Sequence, residues 1–226
     1  MLFIEGWYLP DGEKHFTHYL LEAKKSQFPM EYQKLQRDKS ITYVEKFNTA
    51  IDIGACVGFW SKDLCKFFNK TICFEPYKKS SDCLVKNLEG CNNYELFNVA
   101  LSNQSGKNEF HVSEEGIGGN SLNAFGMKDY TSIEIETKKL DDYGFTDIDY
   151  IKIDVQFYEL FVLEGATQTL KINNPLLCIE CARRNKEELE YVKKINDFLV
   201  NLGYKIVGGV GKELFFKKWV SISLTI

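Results

Sequence analysis

Arginine is nearly missing from this chain: Arg37, Arg183 and Arg184 are the only three among 226 residues. A protein built to hold nucleic acid carries a basic stripe, commonly with aromatics interleaved. Here the net charge is −4 and the basic residues are almost all lysines outside any such stripe, so a nucleic-acid partner is not expected. Histidine is scarce too. His15 and His18 stand three apart in a charged stretch and His111 is isolated, which is too few ligands for a metal centre; no metal is expected. No Gly-x-Ser-x-Gly occurs, which removes the nucleophile elbow of a serine hydrolase. The first eight residues lack a charged leader and a long apolar core, and the apolar tail Trp219–Ile226 is far too short to cross a bilayer. The expectation is a cytoplasmic protein with no membrane partner.

Seven cysteines are present, an odd number scattered through strand-like and helix-like segments, as suits reduced thiols. Cys178-Ile-Glu-Cys181 is a lone C-x-x-C inside an apolar run. In a strand these two side chains leave opposite faces, so they cannot grip one ion. Hydrophobic residues make up 44% of the chain, enough to bury a sizeable core in one α/β domain with a short extension.

The chain divides into a prelude, residues 1–45, and a repeated strand–helix alternation, residues 46–226. In the prelude, Phe3–Leu9 reads as a short strand ended by Pro10-Asp11-Gly12, and 15–25 and 31–39 read as charged helices. Strands are then expected at 49–53, 71–74, 94–99, 150–155 and 176–181, with helices at 59–68, 78–88, 158–170 and 187–202. Segment 106–137 breaks the rhythm with glycines and an antiparallel pair, 107–112 with 132–137. A hairpin of 204–207 and 213–217, turning at Gly208-Gly-Val-Gly211, closes the chain. Short apolar strands alternating with helices predict a doubly wound, mostly parallel, seven-stranded Rossmann-like sheet with one antiparallel hairpin strand. Ligands of such sheets lie beyond the carboxyl ends of the strands.

The residues at those strand ends carry the functional signal. Ala50-Ile-Asp-Ile-Gly-Ala-Cys-Val-Gly-Phe-Trp60 runs from strand to tight glycine turn to helix. A dinucleotide fingerprint requires Gly-x-Gly-x-x-Gly; this turn reads Gly54-x-x-x-Gly58, with Asp52 two residues ahead of the first glycine. That counts against a nicotinamide enzyme. A carboxylate there repels a pyrophosphate and suits the ammonium and sulfonium of S-adenosylmethionine. Glu75, about twenty residues past the first glycine, is placed to take both ribose hydroxyls. Asn98 ends the third strand where an adenine would lie. Lys152 and Asp154 are two apart on one strand and share a face, read here as the wet upper edge, with Asp154 placed to orient an acceptor hydroxyl or the methionyl amine. Glu180 ends the fifth strand and either reaches the same crevice or caps Arg183. The segment 113–130 is read as a lid or acceptor loop.

Taken in order, Ile51–Gly58, Cys73–Pro76, Asn98–Leu101, Gly118–Leu122, Ile151–Val155, Glu159, Leu163–Ala166 and Ile179-Glu180 resemble the FkbM family of S-adenosylmethionine-dependent methyltransferases. The prelude is similar to that of members from phages and marine microbes. The resemblance implies a class I methyltransferase fold and O-methylation of a sugar or small-molecule hydroxyl by in-line transfer. It implies that Asp52, Gly54 and Gly58, with Ala55 in the same turn, hold the methionine portion of the cofactor, Glu75 the ribose, and Asn98 with Ala100 the adenine. It makes Asp154, Glu159 and Lys152 the catalytic candidates. The family pattern continues after Asp154 with Glu-Gly, whereas this chain has Gln156-Phe157. Glutamine cannot act as a base, and phenylalanine stands where a residue free to take positive φ is usual. The rival expectation is therefore a non-catalytic cofactor-binding or scaffold protein of the same descent.

Overall fold

The computed structural model describes residues 1–25 and 31–218; the expectation for the tail Trp219–Ile226 lies outside them. The prelude opens with two strands, β1 (Leu2–Ile4) and β2 (Trp7–Leu9), paired antiparallel. The single strand expected over Phe3–Leu9 is thus a hairpin. Its turn is Glu5-Gly6, both at positive φ (48° and 84°), the geometry that two-residue hairpins favour. Helices α1 (His15–Lys25) and α2 (Lys34–Ile41) follow. The alternation then runs β3 (Thr49–Ile53), α3 (Ser61–Phe67), β4 (Lys70–Phe74), α4 (Lys78–Asn87) and β5 (Tyr94–Phe97). A side sheet is made by β6 (Ala100–Leu101), β7 (Gly106–Ser113) and β8 (Tyr130–Lys138). The remainder is β9 (Ile148–Ile153), α5 (Glu159–Glu164), α6 (Thr167–Asn173), β10 (Leu176–Glu180), α7 (Lys186–Asn201), β11 (Tyr204–Val210) and β12 (Glu213–Lys218).

The main sheet has seven strands in the order β11-β12-β10-β9-β3-β4-β5. Strands β10, β9, β3, β4 and β5 pair in parallel, and β12 lies antiparallel between β10 and β11. This is the expected architecture. The chain moves outward from β3 to β5, crosses back, and resumes at β9 on the other side of β3, so the switch point falls between β3 and β9.

Side-chain parity along the central strands decides what each face carries. Ile51, Ile53, Ile151, Ile153, Leu177 and Ile179 pack with Val162, Leu163, Leu170, Ile195 and Leu199 of α5, α6 and α7. Ala50, Tyr150, Cys178 and Phe215 pack with Trp60, Leu64 and Phe68 on the opposite side. Cys178 and Cys181 fall in the two different clusters, as strand geometry requires. The polar residues of these strands, Asp52, Lys152 and Glu180, share parity with Ala50, Tyr150 and Cys178, so all of them face the Trp60 side.

Three expected elements are corrected. The single helix over 158–170 is two short helices that part at Gly165-Ala166, and a Cβ on Gly165 would lie 2.0 Å from the Ser102 carbonyl oxygen. The strand over 94–99 ends at Phe97, and Ala100–Leu101 joins the side sheet beside β8. Gly208 and Gly209 are not a turn but lie within β11, where a Cβ on Gly208 would meet the Tyr43 hydroxyl at 2.6 Å. The expected pair of 107–112 with 132–137 is present in β7 and β8. Among the described residues no helix is long and apolar enough to cross a membrane.

Candidate active site

A cavity of about 430 Å³ opens at the carboxyl edge of the sheet, across the switch point. Such a volume falls in the range of small-molecule sites, on the order of 300–1,000 Å³. Its floor is made by the tips of β3, β4, β9 and β10: Asp52 to Cys56, Phe74 to Pro76, Asp154 to Tyr158, and Glu180. Val99 to Leu101 line one end. The prelude supplies His15, Phe16, Tyr32 and Gln33 to the walls, and segment 113–127 supplies most of the rest.

The turn after β3 is shaped by its neighbours. Gly54 has φ +79°, and a Cβ there would stand 2.0 Å from the Asp154 carbonyl oxygen. Gly58 has φ +91° and abuts Leu88 and Leu84 of α4. Both positions need glycine for close packing and left-handed φ. Gly54 and Ala55 line the cavity; Gly58 does not and belongs to the support behind it.

Asp52 is buried, and its Oδ2 accepts the Ser61 hydroxyl at 2.5 Å. Burial pushes its carboxyl up to about 6, the Ser61 bond and Lys152 opposing. Glu75 is buried as well. Its Oε2 accepts the Cys56 backbone N–H at 2.9 Å and its Oε1 that of Tyr77 at 2.8 Å. Burial pushes Glu75 up to about 7 despite those two bonds, and no cation stands among its influences. This end of the cavity thus holds two buried acidic groups without a full complement of positive charge. Asn98 is exposed and is not brought to the cavity; its amide donates to the Glu75 carbonyl at 3.2 Å. Ala100 does line it.

Lys152 is not on a wet edge. It is 1% exposed, with Nζ 3.2 Å from Asp154 Oδ2 and 5.0 Å from the Trp60 ring centroid. Burial alone would lower its pKa, but the Asp154 charge reverses this and holds it above the ordinary value. Burial likewise pushes Asp154 up, yet Lys152 and hydrogen bonds from Glu180 and Gln156 bring it below the ordinary carboxylate range. The pair is therefore charged. Both residues line the cavity.

Glu159 does not line the cavity. It is 2% exposed, accepts the Val155 N–H at 3.2 Å through Oε1, and closes the turn between β9 and α5. Burial raises it to about 7, but it faces away from the cleft, so the geometry gives it a capping role. Glu180 takes the first of its two expected places. It lines the cavity and pairs with Lys212 at 3.1 Å, while Arg183 bonds the carbonyls of Cys181 and Gly211 instead.

The turn after β9 holds residues that sequence reasoning did not assemble. Gln156 and Phe157 adopt φ +53° and +66° without being glycine. Non-glycine residues held there carry strain, which tends to collect at functional sites. Ser121 Oγ lies 2.8 Å from both the Val155 and Gln156 carbonyls, and Asn123 Nδ2 donates to the Phe157 carbonyl at 2.9 Å. Segment 113–127 is thus a clamp on this turn. The same segment is tied to the prelude by Glu13, whose carboxylate accepts the Phe16 N–H at 2.7 Å and the Ile117 N–H at 2.8 Å. Phe16, Tyr32 and Phe59 meet ring to ring with centroids 4.9–5.1 Å apart and wall the cavity. A serine and an asparagine in a glycine-rich stretch give no sequence signal for such a clamp. Glu13, two residues before a helical pattern, gives no such signal either.

Comparison with known proteins follows the same lines. The family model for the methyltransferase FkbM domain matches residues 52–206. The 2-O-methyltransferase NoeI of Sinorhizobium fredii is 31% identical over 116 residues, covering 43% of this chain and 48% of that protein; the chain thus spans about half the length of the curated relative it matches. Among solved structures, the FkbM methyltransferase from Methylobacillus flagellatus aligns with TM-score 0.55 and 16% identity, over 75% of this chain and 43% of that one. A Streptococcus mutans protein described as a methyltransferase and solved with S-adenosylhomocysteine aligns with TM-score 0.52 and 12% identity, over 82% and 97% of the two chains. The fold is that of the class I methyltransferases, and on the strength of the match across 52–206 the chain belongs to the methyltransferase FkbM domain family.

Proposed function

We propose that this protein transfers the methyl group of S-adenosylmethionine to a hydroxyl oxygen of a sugar or another small molecule. The observation that carries this reading is the pair of buried carboxylates, Asp52 and Glu75, facing one cavity at the carboxyl edge of the sheet with no cation to neutralise Glu75. Burying acidic groups in this way is costly, and a ligand bringing hydroxyls and positive charge offsets the cost.

The residues present fit that ligand. Glu75 has lone pairs left beyond its two backbone bonds for a ribose diol. Val99 to Leu101 offer backbone and a small side chain to an adenine. Asp52, Gly54 and Ala55 face the amino-acid portion, and Asp154 stands between it and the acceptor end. The sulfonium supplies a methyl group already activated for displacement by oxygen. What remains for the protein is alignment, which can contribute on the order of 7–11 kcal/mol, and removal of the hydroxyl proton. Asp154, kept charged by Lys152, is the group placed to orient that hydroxyl and receive its proton as the oxygen–carbon bond forms and the carbon–sulfur bond breaks. Phe16, Tyr32 and Phe59 keep water from one wall.

Titration calorimetry with S-adenosylhomocysteine tests the reading. Wild type should bind, and Asp52→Ala and Glu75→Ala should each weaken binding about tenfold or more. Absence of wild-type binding would overturn it. Binding without transfer to any hydroxyl acceptor would favour the non-catalytic alternative that Gln156 and Phe157 suggest.

A further inference from the structure

The acceptor end of the cavity contains a run of side chains in which donors and acceptors alternate. Lys152 Nζ faces Asp154 Oδ2 at 3.2 Å. Gln156 Nε2 lies 2.7 Å from Asp154 Oδ1 and 2.6 Å from Glu180 Oε2. Lys212 Nζ faces Glu180 Oε1 at 3.1 Å. A primary amide carries two hydrogens on one nitrogen, so Gln156 can serve both carboxyl groups at once. A glutamate at 156 would instead place a third acid against the other two, with the donor between them gone. The turn that delivers this amide is the left-handed one clamped by Ser121 and Asn123.

We propose, resting on the methyltransferase reading above, that Gln156 is the positioning residue of the acceptor site: its amide fixes the direction of the Asp154 carboxylate toward the acceptor hydroxyl and keeps Glu180 from competing with it. Gln156 acts through Asp154 and touches no reacting atom. Its presence where the family likeness has a carboxylate is then a different wiring of the acid cluster, with Glu180 as the second acid.

The surroundings agree. The charged and titratable groups around the cluster are Tyr32 of the prelude, Asp52 on β3, Lys152 on β9, Glu159 at the start of α5, Cys178 and Glu180 on β10, Arg184 just ahead of α7, Lys212 just ahead of β12 and Glu213 at its start. Glu213, in register with Glu180, is 1% exposed and neither of its carboxylate oxygens has a hydrogen-bond partner. Burial, then the Asp154 charge, push Glu180 up to about 8, while Asp154 stays low. At neutral pH the pair therefore shares one proton, held mainly on Glu180, and a single charged carboxylate meets the acceptor.

The test is a pH titration of the full-length protein, labelled with ¹³C at Asp and Glu side-chain carboxyls and followed by NMR, with S-adenosylhomocysteine calorimetry alongside. Glu180→Gln and Asp154→Asn assign the two resonances. In wild type the Glu180 midpoint should lie near 8, with Asp154 ionised throughout the neutral range. Gln156→Met, of similar length without the donor, should raise the Asp154 midpoint by about one pH unit or more and leave S-adenosylhomocysteine affinity within about threefold of wild type. Gln156→Asn, which keeps an amide but reaches only one partner, should shift it by less and serves should the methionine variant fail to fold. Unmoved midpoints in both variants, or a wild-type Glu180 titrating in the ordinary carboxylate range, would overturn the proposal. Wild-type failure to bind S-adenosylhomocysteine with the midpoints moving as expected would overturn the methyltransferase reading, and the acceptor role with it, while leaving the coupling of Gln156 to Asp154 in place; binding with unmoved midpoints would overturn the Gln156 proposal alone.

Discussion

The carbonyl oxygen of Asp154 lies 2.0 Å from the position a Cβ on Gly54 would occupy. The tips of β3 and β9 therefore touch backbone to backbone at the switch point, and the residue proposed to receive the proton is seated directly on the glycine turn that lines the cavity.

This contact makes Gly54→Ala a severe substitution. Added to the left-handed φ, the clash should cost on the order of 3 kcal/mol of stability. Urea unfolding should show the loss, and S-adenosylhomocysteine affinity should fall with it because Asp154 is displaced. Gly144→Ala is the control, since it shares positive φ and has nothing within 4 Å of its Cβ position.

Glu75 should make both stability and binding depend on pH. Its folded pKa is raised to about 7 by burial, from an ordinary value of 4.5. A raised acid binds protons in the folded state first, so its contribution to stability is full below about 4.5 and is lost as pH rises to about 7. The unliganded protein should lose stability across that window, and Glu75→Gln should flatten the loss. The ligand favours the charged form, so S-adenosylhomocysteine should bind more tightly at pH 8 than at pH 6. Calorimetry at the two pH values decides it.

Ser121→Ala should loosen the turn that carries Gln156. The hydroxyl contacts two carbonyls and accepts the Asn123 N–H at 3.0 Å. Removing it leaves polar backbone groups short of a partner, at a cost of about 1–3 kcal/mol. Chemical denaturation measures the cost, and amide exchange at 155–157 should accelerate.

The alternation of short apolar strands with helices was legible in the sequence, because strands buried on both faces read as apolar runs separated by helical patterns. The seven-stranded sheet and its switch point followed, as did the cavity-lining positions of Asp52, Gly54, Glu75 and Asp154. The errors have physical sources. Lys152 was placed in water because an unpaired buried lysine is costly; what was unseen is that Trp60 covers it, so that its pairing with Asp154 is buried. Asn98 and Glu159 stand at strand and helix ends like true site residues, but their side chains satisfy backbone groups instead. Glu13 braces Ile117 across 104 positions of chain, and nothing local announces such a contact. Left-handed backbone at Gln156 and Phe157 is imposed by neighbours, so residue type does not disclose it.

Arg37 gives a prediction independent of the cavity. Its side chain is 2% exposed and its guanidinium pairs with Asp63 of α3. Asp63→Ala leaves that charge buried with weaker partners among the described residues: Glu31 at 3.5 Å, the Tyr32 carbonyl at 3.1 Å and the Trp60 ring at 5.8 Å. The loss should be about 3 kcal/mol, seen as a lower urea midpoint with an unchanged slope.

Phe16, Tyr32 and the brace from Glu13 all precede residue 52, where the family match begins. The chamber is therefore assembled from separately encoded parts: a floor written in the strand tips, a clamp written in segment 113–127, and an aromatic awning written partly upstream of the matched region. Exchanging the awning would re-cut the mouth of the chamber while leaving the floor intact, which makes the first fifth of the chain the natural place to engineer a new choice of guest.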